Sequence, residues 1–178
     1  MVKNEVTEAL WLETLLSHMG FSVTVLVTHN PESVPGAYML LEINPDTLRP
    51  TQIQQLLGSD GQNLDALQCL TNATMNSHLP NGTEHRQYVV DLNGYRAKRE
   101  QELKQLAVEA AEYVRLHRRD YVIQHLSSSD RRQVHAYLEA VADVETFSQG
   151  REPHRHLIVR LVGSEPQVYP NETITPRY

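Results

Sequence analysis

The sequence predicts an α+β protein of two small modules joined by a long helix, and three observations predict it. The apolar period changes along the chain, from the helical spacing of Val6, Ala9, Leu10, Leu12, Leu15, Leu16 and Met19 to the alternation of Phe21, Val23, Val25 and Val27. A single helical pattern runs from about Tyr95 to Leu116, with Leu103, Leu106, Ala107, Ala110 and Val114 facing in and an Arg96/Glu100/Lys104 ladder facing out. Charge divides at the same place: residues 1–95 hold three Lys or Arg against ten Asp or Glu, and residues 96–161 hold twelve against ten.

The first helix, Glu5 to Met19, is stopped by Gly20. Strands follow at Phe21 to Val27 and Met39 to Ile43, a hairpin whose turn-rich loop is Pro31 to Gly36. Asn44-Pro45-Asp46 breaks the strand, and Thr51 to Leu57 forms a short helix with Thr51 as its cap and Ile53, Leu56 and Leu57 inward. It ends at Gly58. After Gly61 a second helix carries Leu64, Leu67, Leu70 and Thr74 on one face until Pro80 and Asn81-Gly82 turn the chain into a strand, Arg86 to Leu92.

Beyond the long helix, the last third opens with a short helical piece near Tyr121 to His125. Ser127-Ser128-Ser129-Asp130, rich in capping residues, precedes a helix carrying Val134, Leu138 and Val141. Val144 to Phe147 and His156 to Val162 are strands on either side of Gly150 and Pro153. From Gly163 onward Pro166, Pro170 and Pro176 interrupt a stretch without apolar period, the pattern of a mobile tail. The boundaries are a first module at 1–95, a linking helix at 96–119, a second module at 120–162 and the tail at 163–178.

Composition narrows the function. No apolar run approaches the ~20 residues that cross a bilayer, and the acidic N-terminus lacks the pattern of a signal peptide, so a cytoplasmic protein is expected. A single cysteine, Cys69, rules out an internal disulfide and a multi-cysteine zinc site. The net charge of −6 argues against coating nucleic acid by bulk attraction and directs a polyanion footprint to the second half. His154 and His156 share a strand face, but no third ligand accompanies them, and neither metal nor cofactor is expected. No Walker loop, dinucleotide fingerprint or nucleophile elbow is present, so no enzyme is expected.

Two motifs remain. Gly58-Ser59-Asp60-Gly61 lies between two helices, where missing side chains let a phosphodiester backbone approach and a helix N-terminus offers free amides to phosphate. On spacing alone a helix C-cap followed by a tight turn is the more ordinary explanation. The order helix, strand, strand, helix, Gly-x-x-Gly, helix, strand is that of a type II KH domain, whose loop clamps single-stranded nucleic acid. In the second half, Arg131 and His135 stand four apart on a predicted helix, where a guanidinium and an imidazole side by side can hold a phosphate or stack on a base. A solvated helix face is the plain alternative.

The run Leu56-Leu57-Gly58-Ser59-Asp60-Gly61-Gln62-Asn63-Leu64-Asp65 with Val90-Asp91-Leu92-Asn93-Gly94-Tyr95-Arg96 resembles the KH portion of the bacterial Jag (SpoIIIJ-associated, KhpB-like) proteins. Ser128-Ser129-Asp130-Arg131-Arg132-Gln133-Val134-His135, followed by Val144-Glu145-Thr146-Phe147-Ser148-Gln149-Gly150 and Glu152-Pro153-His154-Arg155, resembles their second domain, named for its Arg-x-x-x-His (R-three-H) motif. The resemblance covers roughly residues 5–162. It implies a cytoplasmic protein binding single-stranded RNA, an RNA chaperone or post-transcriptional regulator, with a small KH-only protein or a second copy as partner. Because the chain starts almost at the KH portion, the family's separate N-terminal Jag module is expected to be absent.

Ser59-Asp60 stands where the family usually carries a basic residue, and a carboxylate beside a phosphate opposes binding. The nucleic-acid contacts are therefore assigned first to Arg131, Arg132, His135, Arg151 and Arg155, with support from Arg115, Arg118 and Arg119, and second to Gly58, Ser59, Asp60 and Gly61. Two alternatives stay open: a protein-interaction scaffold with a degenerate KH unit, and a second module that binds a mononucleotide or 5′ phosphate.

Overall fold

The computed structural model describes residues 2–29, 38–77, 79–80 and 83–165. The loop Pro31 to Gly36, the turn positions 78, 81 and 82, and residues 166–178 of the expected tail lie outside the described residues. The chain divides into two compact units, 1–98 and 99–178.

In the first unit, helix α1 (Val2–His18) is followed by strands β1 (Val25–His29) and β2 (Tyr38–Ile43), helices α2 (Pro50–Leu57) and α3 (Gln62–Asn76), and strand β3 (Gln87–Leu92). The sheet order is β1-β2-β3: β1 runs antiparallel to β2 from Val25↔Ile43 to His29↔Met39, and β3 runs parallel to it from Tyr38↔Gln87 to Ile43↔Leu92. Alternate residues Met39, Leu41 and Ile43 of β2 and Tyr88, Val90 and Leu92 of β3 point to one face, where they join Leu12 and Leu16 of α1, Leu56 of α2, and Leu64 and Leu67 of α3 in one core. The first strand starts at Val25 rather than Phe21, because β2 ends opposite Val25 and leaves residues 21–24 no strand to pair with. Thr51 is not the cap of α2. That place belongs to Arg49, whose amide donates to Gln52 Oε1 at 3.0 Å, and Pro50 supplies the first helical residue.

The outer edge of β3 is closed by side-chain amides spaced four apart on α3. Asn72 accepts from the Tyr88 amide (2.9 Å) and donates to its carbonyl (2.7 Å), Asn76 does both for Arg86 (2.9 and 2.9 Å), and Gln68 accepts from Val90 (3.2 Å). They do what a neighbouring strand would do for every second residue of an edge.

In the second unit, helix α4 (Tyr95–His117, contributing from Arg99 on) is followed by strand β4 (Tyr121–Ile123), helix α5 (Ser128–Glu139) and strands β5 (Val144–Gln149) and β6 (His156–Leu161). The sheet order is β4-β6-β5, both pairings antiparallel. Helix α4 does more than link: Leu103, Ala107, Ala110, Ala111 and Val114 recur at helical spacing and form one wall of this unit's core, facing Val134, Leu138, Leu157, Val159 and Leu161. The expected helical piece at Tyr121 to His125 is instead β4, paired through Tyr121↔Val159 and Ile123↔Leu157. Its β-branched Val122 and Ile123 suit that partner, which lies too far along the chain to register in local spacing. No described helix is long and apolar enough to cross a membrane.

Candidate nucleic-acid interface

The Gly-x-x-Gly loop closes α2 and opens α3. The Gly58 amide donates to Gln54 O at 2.8 Å, and Gly58 (φ 70°, ψ −171°) and Gly61 (φ 77°) take conformations that L side chains rarely adopt. The room above each glycine is already filled. A Cβ on Gly58 would stand 2.7 Å from Cγ of Asn63, whose Nδ2 donates to Gln55 O at 2.8 Å, and a Cβ on Gly61 would stand 2.6 Å from Cε1 of Tyr95. The missing side chains make room for Asn63 and Tyr95 inside the unit. What the loop presents outward is Ser59 and Asp60, both exposed, and the start of α3, where no side chain caps the helix. Asp65 in the first turn of α3 pairs with Arg96 at 3.1 Å.

The Arg-x-x-x-His helix is set by its cap: Ser127 accepts from the Asp130 amide at 3.1 Å, as the serine run predicts. From there the amphipathic pattern turns Asp130, Arg131, Val134 and Leu138 inward. Arg131 is 5% exposed. One guanidinium nitrogen, Nη1, donates to Leu126 O at 2.7 Å, and Nη2 forms an ion pair with Glu152. Asp130, equally buried, is held by Arg99 at 2.8 Å. His135 lies exposed with Nδ1 against Thr146 Oγ1 of β5, which leaves Nε2 as the ring's remaining hydrogen-bonding atom. Spacing thus places Arg131 and His135 along one side of α5 but separates them by depth.

Arg132, Arg151 and Arg155 are exposed, and no ion pair engages them among the described residues. The last two sit on the β5–β6 turn, which is tight: the His154 amide donates to Arg151 O at 2.8 Å, and a Cβ on Gly150 would stand 2.9 Å from His154 O. Arg118 and Arg119 are exposed beyond the end of α4. Arg115 is committed to Asp143 by two hydrogen bonds, 2.8 and 2.7 Å, which raise the guanidinium and hold the Asp143 carboxyl below the usual carboxylate range.

Sequence reasoning missed Arg160. It lies within the apolar run of β6, 7% exposed, grips Asp120 at 2.5 to 3.1 Å through three contacts, and stacks over Phe147 at 4.7 Å. A lone cation within a strand of Leu, Ile and Val was the available signal. Of the two histidines weighed for a metal, His156 turns Nδ1 to His154 O at 3.2 Å, and no group of three His, Cys, Asp or Glu side chains converges among the described residues.

Residues 101–161 match the R-three-H domain family. Among curated proteins, the chain is 36% identical over 106 residues to "RNA-binding protein KhpB" of Lactiplantibacillus plantarum, covering 60% of this chain and 32% of the relative. It is 33% identical over 106 residues to the protein of that name from Bacillus subtilis, covering 58% and 50%, and 29% identical over 151 residues to that from Clostridium symbiosum, covering 85% and 63%. The chain thus spans less than two thirds of the length of each of these relatives. The Arg-x-x-x-His domain is thus matched in the second unit, and similarity to the KhpB protein of Clostridium symbiosum reaches across most of the chain.

Proposed function

We propose that this protein binds single-stranded RNA, without catalysis, as an RNA chaperone or post-transcriptional regulator of the bacterial cytoplasm. The observation that carries the reading is the trio Arg132, Arg151 and Arg155, exposed and free of ion pairs among the described residues, on two segments that the Arg131–Glu152 pair joins. Arginines of this kind supply phosphate contacts and stack on bases. His135 extends the same surface through Nε2. The relatives' printed name, RNA-binding protein, supports the reading.

The first unit, with its order α-β-β-α-α-β, fits a type II KH-like domain. Its contribution is a secondary contact at the uncapped start of α3, opposed by Asp60. That carboxylate favours a second reading for this unit alone, in which it docks a small KH-only protein or a second copy of the chain.

The test is titration of a labelled single-stranded RNA across a range of salt. Arg132→Gln with Arg151→Gln is expected to flatten the salt dependence by about 1.4 in slope, for two lost phosphate contacts. Absence of measurable binding by the unaltered protein at low salt sinks the proposal. In the same titration Asp60→Lys tightens binding if the loop meets RNA and leaves it unchanged if the first unit serves a protein partner.

A further inference from the structure

We infer that Arg131 is a positioning residue, an internal clip whose partner Glu152 holds the β5–β6 turn against α5 and so fixes the arginines that meet RNA. The inference rests on the RNA-binding reading and reverses the role that the motif's spacing suggests for Arg131.

The geometry leaves Arg131 little else to do. Its side chain is 6% exposed, and its two terminal nitrogens are both engaged, Nη1 with Leu126 O at 2.7 Å and Nη2 with Glu152. A phosphate reaching this guanidinium would have to displace a carboxylate already paired there. The consequence of the pair reaches further than its two members. Arg132 follows Arg131 on α5 and Arg151 precedes Glu152 on the turn, so one ion pair brings the attachment points of both exposed cations together. The carboxylate end is open to solvent, with the Glu152 side chain 60% exposed, so it can be altered without opening the core. Holding a loop in its binding geometry before the ligand arrives lowers the ordering cost of binding.

This role makes a prediction opposite in sign to simple electrostatics. Removing a carboxylate from a polyanion-binding surface should tighten RNA binding if charge alone matters. The clip requires that Glu152→Ala weaken it, by about threefold to tenfold for the loss of order in one or two long side chains. Glu152→Gln, which keeps an acceptor oxygen for Arg131 but not the charge, should lie close to the unaltered protein. On charge alone the two variants would behave alike.

The full chain is titrated with a labelled oligouridylate at several salt concentrations, and amide hydrogen exchange is followed in the free protein. The expected result is weaker binding by Glu152→Ala, recovery in Glu152→Gln, and faster exchange at the His154 amide in the alanine variant with the core amides of α4 unchanged. Equal or tighter binding by Glu152→Ala overturns the clip and returns Arg131 to direct phosphate contact. If the unaltered protein binds no RNA, the functional reading fails, and exchange at His154 still decides the clip: unchanged protection in Glu152→Ala rejects it.

Discussion

The two units place polar groups in opposite ways. The first closes its sheet with neutral amides, Gln68, Asn72 and Asn76 lying along β3, and among the described residues it buries one acidic side chain, Glu8, whose Oε1 meets Tyr88 at 3.2 Å and the half-exposed Arg86 at 3.6 Å while Oε2 is buried without a hydrogen-bond partner. The second draws its arginines inward through ion pairs: Arg99 to Asp130 and Arg160 to Asp120 inside the unit, and Arg131 to the exposed Glu152 at its surface. Neutral amides hold at any ordinary pH, whereas a buried ion pair fails badly when one member is lost. The difference shows that a count of arginines overstates the charge a domain offers to a ligand. In the second unit Arg99, Arg115, Arg131 and Arg160 are spent on the protein itself, and the surface reading rests on what remains.

The largest expected effect breaks the ionic side of this contrast. Asp120→Ala removes the carboxylate that pairs with Arg160 inside the second unit and should cost about 3 to 5 kcal/mol, read as a shift in its urea midpoint with the first unit unaffected. A smaller effect comes from the amide side. Asn72→Leu keeps the branched shape but leaves the Tyr88 amide and carbonyl unpaired, at a cost of about 2 to 4 kcal/mol in the first unit. A loss well below 1 kcal/mol there would mean that water replaces the amide and that the ladder is not structural.

The smallest effect is at the surface. Hydrogen bonding from Arg115 depresses the Asp143 carboxyl below the 3.8 of a free group, so the pair's stabilisation is present above that pH and is lost as pH falls through the depressed value. Both side chains are about half exposed, so the effect is small. Asp143→Asn should flatten the acid limb of thermal stability below pH 4 and change little at neutral pH.

Periodicity carried most of the fold into the sequence. The alternation Met39, Leu41, Ile43 and the stripe Leu103, Ala107, Ala110, Val114 each describe one buried face, and Ser127 declared the start of α5. Local pattern did not reach β4, because three residues hold too little period and their partner, β6, lies more than thirty residues on. It also did not reach the depth of Arg131. Spacing of four fixes a side of the helix, while burial depends on Leu126 and Glu152, which sit on other segments. The glycines were legible as a helix end and a tight turn, but the closeness of Asn63 and Tyr95 to them is tertiary.

In the second unit the strand made last is the strand in the middle. Among the described residues, both β4 and β5 pair with β6, residues 156–161, and with no other strand. During synthesis, the Arg-x-x-x-His helix and both outer strands leave the ribosome before the one element that joins them exists. Their apolar faces have no complete core to join until Leu157, Val159 and Leu161 of β6 are made. On the RNA-binding reading proposed above, a nascent chain that ends short of residue 156 lacks the strand that holds the proposed surface together.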